Sequence, residues 1–275
     1  MPVHENVVHS LGEFVDVVTP REPDPQTRRR RDTGVYRGAS EAARPLLTSL
    51  DRLGGMDPPH TKADLEEHIL RNFIRYSRPH LDEARPHNDW EMLIAAQHHG
   101  VPTRLLDWSY SPLVAAFFAT RPLSDGREAE RDRAVWRLDW QSVHRHFKLP
   151  QLALLIQDLD TLLGGSPPFT PWKLFAARSG SGPAAGAAFA CMIEPPSLDA
   201  RIVAQAATFT LASTRCQSFD EFLEAQGLNE ALTRYVIPSA DVGRIRDQLD
   251  LVGIDERRLF PDLDGVASAI QRYYA

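Results

Sequence analysis

A row of polar and aromatic side chains between two apolar helical segments is the part of the sequence best suited to chemistry. Its members are Thr103, Arg104, Asp107, Trp108, Ser109 and Ser111. Residues of these types, carried by a loop between rigid supports, are typical of a binding site. We expect the rest of the chain to hold this loop against Tyr36, Arg37 and Gly38.

Arg37 and Asp107 are the charged residues with the clearest chemical uses. Arg37 stands at the end of a predicted short strand, directly before a glycine, which places its side chain well to point into a cleft. Its planar guanidinium suits the oxygens of a diphosphate. For Asp107 we favour an ion pair with Arg104 that holds the loop, and an acid or base role is the alternative.

Ser109 and Ser111 are predicted to bind a ligand rather than to attack one. The sequence around them lacks the G-x-S-x-G pattern of a hydrolase nucleophile. In an extended segment, residues two apart project to the same face, so both hydroxyls can hydrogen-bond one ligand.

The histidines do not predict a metal site. His98 and His99 are adjacent, so on a helix their side chains point about 100° apart and do not easily share one ion. His98 lies near a predicted helix C-terminus, where the helix dipole and the exposed carbonyls favour a histidine. It is also expected to order the loop that follows. We therefore expect no bound metal.

Composition indicates an ordinary soluble protein. The chain has 275 residues and a net charge of −6, so no global basic field points to nucleic acid. It has two cysteines without C-x-x-C spacing, which favours a reducing cytoplasm. No signal peptide is predicted at the N-terminus, and no apolar run approaches the ~18 residues of a membrane span.

The elements that must position these residues are helices and strands without strict βαβ alternation. Apolar periodicity predicts helices over residues 6–18 and 61–75, and Asn88, Ser111 and Ser218 are predicted N-caps. This pattern favours an α+β fold with a mixed or antiparallel central sheet and flanking helices. Residues 1–32 are expected to form an N-terminal helix and an arginine-rich linker. A loop-rich surface excursion or lid is predicted over residues 164–186.

Four blocks of the chain resemble the FRG domain, which is named for an aromatic-Arg-Gly motif. The blocks are Tyr36-Arg37-Gly38; residues 97–108 (QHHGVPTRLLDW) with 112–119; Arg201 and Gln205 before Phe209; and residues 259–265 (LFPDLDG). The run from Gln97 to Trp108 is long and specific. The resemblance implies an FRG domain over residues 33–275.

A weaker resemblance connects residues 35–38, and Ser109-Tyr110-Ser111 followed by Val114, Ala115 and Phe118, with the Arg-Ser-Glu class of ADP-ribosyltransferases. In that class the arginine binds the phosphates of NAD, and a Ser-x-Ser segment shapes the nicotinamide pocket. The resemblance implies an ADP-ribosyltransferase-like fold with NAD as the substrate and no metal. The implied NAD-binding residues are Tyr36, Arg37, Gly38, His98, Thr103, Arg104, Trp108, Ser109 and Ser111.

The third motif of that class carries a catalytic glutamate, and this chain departs from it. Residues 199–205 contain no glutamate; Gln205 stands there, and Glu194 lies a few residues upstream. The candidate catalytic residues are therefore Gln205, Asp107 and Arg201, with Asp107 or Glu194 as the substitute carboxylate.

Three functions follow as hypotheses. The first is an NAD-using ADP-ribosyltransferase, acting as a toxin or defence effector on a protein or nucleic-acid acceptor, with an operon-encoded partner as a further expectation. The second is a non-catalytic nucleotide- or nucleic-acid-binding module. The third is an NAD glycohydrolase, which shares the site of the first.

Overall fold

The fold is a mixed β-sheet flanked by helices, as seen in a computed structural model of the protein. The structure describes residues 4–30, 32–54, 62–80, 88–122, 131–163, 188–197, 200–213 and 218–274. Within these ranges the sheet has seven strands in the order β1-β7-β4-β2-β3-β6-β5. The α+β class with a mixed central sheet is therefore confirmed.

The strands come from the whole length of the chain. They are β1 (His4–Val7), β2 (Val35–Ala39), β3 (Leu106–Ser109), β4 (Arg133–Leu138), β5 (Ala190–Ile193), β6 (Ala207–Ala212) and β7 (Leu232–Ile237). β1 runs parallel to β7, and every other neighbouring pair in this sheet is antiparallel.

Helices cover both faces of the sheet. They are α1 (Leu11–Val18), α2 (Ser49–Arg52), α3 (Lys62–Ser77), α4 (Asp89–His98), α5 (Pro112–Ala119), α6 (Trp140–His146), α7 (Ile156–Leu163), α8 (Ala200–Ala204), α9 (Phe219–Ala225), α10 (Val242–Leu251), α11 (Glu256–Leu259) and α12 (Leu263–Tyr273).

The predicted helix caps are confirmed where the structure describes them. Asn88 accepts a hydrogen bond from the Glu91 amide at the start of α4. Ser111 caps α5 with Pro112 in the first helical turn, and Ser218 caps α9. These caps satisfy amide groups that have no partner inside the helix, so their positions follow from local sequence.

The N-terminal segment differs from the prediction. Instead of one helix over residues 6–18, residues 4–7 form the edge strand β1, and α1 begins after the cap residue Ser10. Asn6 pairs with Tyr235 of β7, a contact between residues far apart in the chain. Leu11 and Phe14 of α1 are buried in the core, so this segment completes the sheet and one of its faces.

Three apolar clusters hold the helices to the sheet. On one face, α5 and α10 pack on Tyr36 and Val135. On the other face, α6 and α9 pack on Val35, Trp108 and Trp136. A third cluster joins α4 and α7 to β5 and β6. Burial of these side chains is the main stabilising contribution, at about 25 cal/mol for each Å² of apolar surface.

His144 of α6 connects this helix to β5 and is buried as a neutral ring. Its Nε2 atom accepts a hydrogen bond from the Met192 amide at 2.8 Å, so Nδ1 carries the proton and donates to the Pro150 carbonyl at 2.6 Å. Burial lowers the pKa of His144 from its ordinary value of 6.5.

β3 is the main departure from the sequence-based expectation. Leu106 to Ser109, predicted as part of a polar loop, form an inner strand of the sheet. β3 pairs along its full length with β6, whereas among the described residues β2 and β3 pair at Tyr36 opposite Ser109 alone. The sheet therefore opens between β2 and β3.

Several predictions fall on residues that the structure does not describe. The excursion expected over 164–186 lies outside the described residues, as do Cys216 and Asp199. In the described part of the chain, none of the helices combines the length and apolar character required to span a bilayer.

Candidate functional site

A cleft of about 600 Å³ lies where β2 and β3 separate. Both strands, the end of α4, the end of α5 and the α8–β6 connection contribute to its walls. Its polar and aromatic side chains include Tyr36, Arg37, Gln97, His98, Asp107, Trp108, Ser109, Arg121, Arg201 and Gln205. Residues distant in the chain, among them Tyr36, Asp107 and Gln205, thus meet in one site.

Arg37 and Asp107 face each other across this opening. Arg37 Nη1 donates to the Asp107 backbone carbonyl at 2.6 Å and lies 3.4 Å from Asp107 Oδ2. This hydrogen bond uses the backbone carbonyl of Asp107 in β3, next to the point where β2 and β3 stop pairing. The Asp107 side chain is 54% exposed and that of Arg37 19%, so the carboxylate remains accessible to a ligand.

Gln97 fixes the orientation of the Asp107 carboxylate. Its Nε2 atom donates to both carboxylate oxygens of Asp107, at 2.8 and 2.9 Å. Its Oε1 atom accepts a hydrogen bond from the Thr103 hydroxyl. This contact fixes the amide so that its NH₂ group faces Asp107. Gln97 was not among the candidates from sequence, although its place in the last turn of α4, at the start of the specific 97–108 run, was a usable signal.

Thr103 and Arg104 support the site from outside the cleft. Thr103 is buried, and its hydroxyl accepts from the Leu105 amide while donating to Gln97. The predicted ion pair of Arg104 with Asp107 is wrong. Arg104 is instead buried against Glu66 of α3, which accepts from the Arg104 amide at 3.1 Å and from Nε at 2.6 Å.

Ser109 and Ser111 do not present two hydroxyls to one ligand. Ser109 lines the cleft, but its hydroxyl donates to the Gln205 backbone carbonyl at 2.7 Å and accepts from the Ser111 amide at 3.0 Å. The Ser111 hydroxyl accepts from the Val114 amide as the cap of α5. Both serines therefore hold the β3–α5 corner in place.

Tyr36 and Gly38 shape the wall on the β2 side. The Tyr36 hydroxyl donates to Asp32, which also pairs with Arg137. Burial and this carboxylate raise the pKa of Tyr36, so it stays a neutral phenol. A Cβ atom on Gly38 would lie 2.2 Å from the Ala115 carbonyl oxygen, so the glycine allows α5 to approach β2.

Trp108 and His98 both line the cleft. Trp108 is buried, and its indole Nε1 donates to the Thr210 hydroxyl at 2.8 Å. His98 lies beside His99, with ring centroids 5.4 Å apart, and both residues line the cleft.

α8 and its connection to β6 place Arg201 and Gln205 in the cleft. Gln205 Nε2 donates to the Leu259 carbonyl at 3.0 Å, which fixes the side chain. The next residue, Ala206, has a φ of 45°, a left-handed conformation that is unfavourable for a residue with a Cβ atom. Glu194, the other carboxylate considered from sequence, accepts from the Tyr110 hydroxyl and is not part of the cleft wall.

Arg121, after α5, is a cleft residue that was not predicted from sequence. Its guanidinium lies 5.1 Å from the ring centroid of Phe260, and the Arg201 guanidinium lies 4.4 Å from the same centroid. Phe260 belongs to the 259–265 block, in which a Cβ atom on Gly265 would lie 1.9 Å from the Phe260 carbonyl oxygen. This block therefore fixes an aromatic ring in contact with two cleft arginines.

The described cleft lining is positively charged although the whole chain is acidic. Arg37, Arg121 and Arg201 contribute three positive charges, and Asp107 is the one carboxylate among the described lining residues. The chain as a whole carries −6. A local field of this sign attracts an anionic ligand. Among the described residues, no group of three or more His, Cys, Asp or Glu side chains is arranged to hold a metal ion.

The fold and the site together define an α+β protein with an arginine-lined cleft at an opening in its central sheet. A family model described as FRG domain matches residues 32–128, about a third of the chain. Residues 32–128 of the chain are therefore similar to the FRG domain. The match includes Arg37, Gln97 and Asp107, whereas Arg201, Gln205 and the 259–265 block lie beyond it. Comparison with curated proteins and with solved structures finds no match.

Proposed function

We propose that the protein is an ADP-ribosyltransferase-like enzyme that uses NAD. The observation that carries the proposal is the Asp107 carboxylate, held by Gln97 and Arg37 at the edge of a positively charged cleft. A cleft of about 600 Å³ is within the size range of ligand pockets. The acceptor of ADP-ribose is a protein or nucleic acid, and the setting we propose is a cytoplasmic toxin or defence effector.

The proposed reaction breaks the bond between ribose C1′ and the nicotinamide nitrogen of NAD. The bonding electrons leave with nicotinamide, and positive charge develops on the ribose. Asp107 is the group that stabilises this charge, because a fixed carboxylate acts most strongly where charge develops in the transition state. Arg37 contacts the phosphates, and Gln205 contributes a polar group to the cleft wall without contributing charge.

A nucleotide-binding module without chemistry is the second candidate. It is favoured by the ion pair between Arg37 and Asp107, which partly neutralises the carboxylate, and by the absence of a glutamate at the position of Gln205. An NAD glycohydrolase would use the same site with water as the acceptor. Release of nicotinamide separates both enzymes from the binding module.

The test is the release of nicotinamide from labelled NAD, with and without cell extract as a source of acceptor. The wild-type protein is compared with Asp107→Asn and with Asp16→Asn, which removes the same charge from the exposed face of α1. We expect turnover to fall at least tenfold in Asp107→Asn, with melting temperature and NAD affinity near those of wild type.

Each outcome decides between the candidates. Labelled macromolecule supports a transferase, and free ADP-ribose without labelled macromolecule supports a glycohydrolase. NAD binding without nicotinamide release, in the presence of extract, supports the binding module. Equal turnover in Asp107→Asn and Asp16→Asn would remove Asp107 from the chemistry.

A further inference from the structure

Arg121 and Arg201 form a pair of cleft cations that the proposed chemistry does not use. They come from different parts of the chain, one following α5 and the other in α8, and both guanidinium groups lie over the ring of Phe260. A cation over an aromatic face is attracted by the ring quadrupole, which helps to hold two like charges near one point.

Phe260 is a fixed platform for this pair. Its ring packs against Phe117 and Phe118 of α5, with centroid distances of 6.3 and 6.1 Å. Its backbone is constrained on both sides, because its amide donates to the Glu256 carbonyl and its carbonyl accepts from the Asp262 amide. The close approach of Gly265 to the Phe260 carbonyl adds a further constraint.

The separation of the two guanidinium groups has an upper limit that one diphosphate can span. Their Cζ atoms are no more than 9.5 Å apart, the sum of their distances of 5.1 and 4.4 Å from the same ring centroid. Charge-assisted hydrogen bonds of about 2.8 Å at each end allow one diphosphate to contact both groups. Guanidinium forks also match phosphate oxygens bidentately.

Arg37 is less available for this task. It donates to the Asp107 carbonyl and lies within 3.4 Å of the Asp107 carboxylate, so part of its hydrogen-bonding capacity and charge is used inside the protein. The described lining around Arg121 and Arg201 includes no carboxylate besides Asp107.

We infer that Arg121 and Arg201, supported by Phe260, form a second set of phosphate contacts in the cleft, in addition to Arg37. In taking the diphosphate to be that of NAD, the inference rests on the proposed function. It places the diphosphate over the Phe260 platform and leaves Asp107, on the β3 side, to the ribose. It also gives the 259–265 block a role in ligand binding.

The test measures the affinity of inorganic pyrophosphate and of NAD by titration calorimetry at low ionic strength. The variants are Arg121→Gln and Arg201→Gln, with Arg145→Gln as the matched control, since Arg145 is exposed on α6 outside the cleft. We expect affinity for both ligands to fall about tenfold or more in each cleft variant and to stay within twofold of wild type in the control.

A second variant guards against a purely structural effect. Arg201 packs on Phe260, so Arg201→Gln is compared with Arg201→Lys, which keeps the charge, and melting temperatures are recorded for all variants. Partial recovery of pyrophosphate affinity in Arg201→Lys, with folded protein in each case, supports a charge-based subsite. Nicotinamide riboside, which has no phosphate, should bind the cleft variants as it binds wild type.

The possible failures are distinguishable. If Arg121→Gln and Arg201→Gln bind pyrophosphate as well as Arg145→Gln does, or if wild type binds no pyrophosphate, the subsite is refuted even where nicotinamide is released. If pyrophosphate binding depends on the pair but NAD is neither bound nor cleaved, the subsite stands and the NAD-based function fails.

Discussion

Substitution of Gly38 by alanine tests the role of the glycine in the aromatic-Arg-Gly motif. A Cβ atom at this position would lie 2.2 Å from the Ala115 carbonyl oxygen and 2.5 Å from the Ala119 amide nitrogen. Both contacts are with the backbone of α5, so no side-chain rotation relieves them, and the helix must move away from β2. Overpacking of this kind destabilises proteins by roughly 1–3 kcal/mol, and we expect the upper end because the partner is a helix backbone.

A loss of about 3 kcal/mol corresponds to a decrease of roughly 6–12 °C in melting temperature for a domain of this size. The measurement is thermal unfolding followed by circular dichroism and, for the free energy, urea unfolding. Gly12→Ala is the matched control, because Gly12 lies on the exposed face of α1 and a Cβ atom there meets nothing within 4 Å. Alanine is also the better helix former, so the control should be as stable as wild type or slightly more stable.

A melting temperature for Gly38→Ala within 2 °C of wild type, on the same scale, would refute the reasoning. It would mean that α5 moves without losing its packing on Tyr36 and Val135. The glycine of the motif would then have to be explained by ligand contact instead of by the approach of the helix to the strand.

Three further predictions concern the cleft and the core. Arg37→Lys keeps the charge but loses the guanidinium fork, so NAD affinity measured by calorimetry should weaken by about 1–3 kcal/mol; equal affinity would remove Arg37 from the site. Gln97→Leu removes two hydrogen bonds from the half-exposed Asp107 carboxylate, so turnover should fall about fivefold with little change in KM, and an effect on KM alone would contradict a positioning role. For His144, the folded pKa is depressed, so the unfolded chain binds a proton that the folded chain does not. The free energy of unfolding should therefore decrease as the pH is lowered past about 6.5, by up to ~1.4 kcal/mol per pH unit. In His144→Gln, the free energy measured by urea unfolding should not show this dependence on pH.

Local interactions made several elements of this protein readable from sequence. The caps at Asn88, Ser111 and Ser218 depend on amides within the next three residues, so no distant contact is required to place them. The α+β class followed from the mixture of helical and strand periodicities. The 97–108 run carries the resemblance to the FRG domain, lies inside the match over residues 32–128, and contains the Asp107 that the structure places in the cleft.

Pairing between strands far apart in the chain determined the elements that were predicted wrongly from sequence. β3 has four residues, and its polar neighbours in sequence are typical of a loop; it is a strand because β6, about 100 residues later, pairs with all four. The end of β1 was predicted as the start of a helix because Val7 and Val8 continue the apolar spacing of α1. It is extended because β7 offers a sheet edge to residues 4–7.

The partners of charged side chains were decided by tertiary structure for the same reason. Arg104 and Asp107 are three residues apart, and proximity in sequence favoured their pairing. Glu66, which lies 38 residues from Arg104, instead pairs with it in the interior, where a charge requires a partner. Asp107 is thereby left to Gln97 and Arg37. Charge and residue type can be read from sequence, but which charges meet depends on how the sheet brings distant segments together.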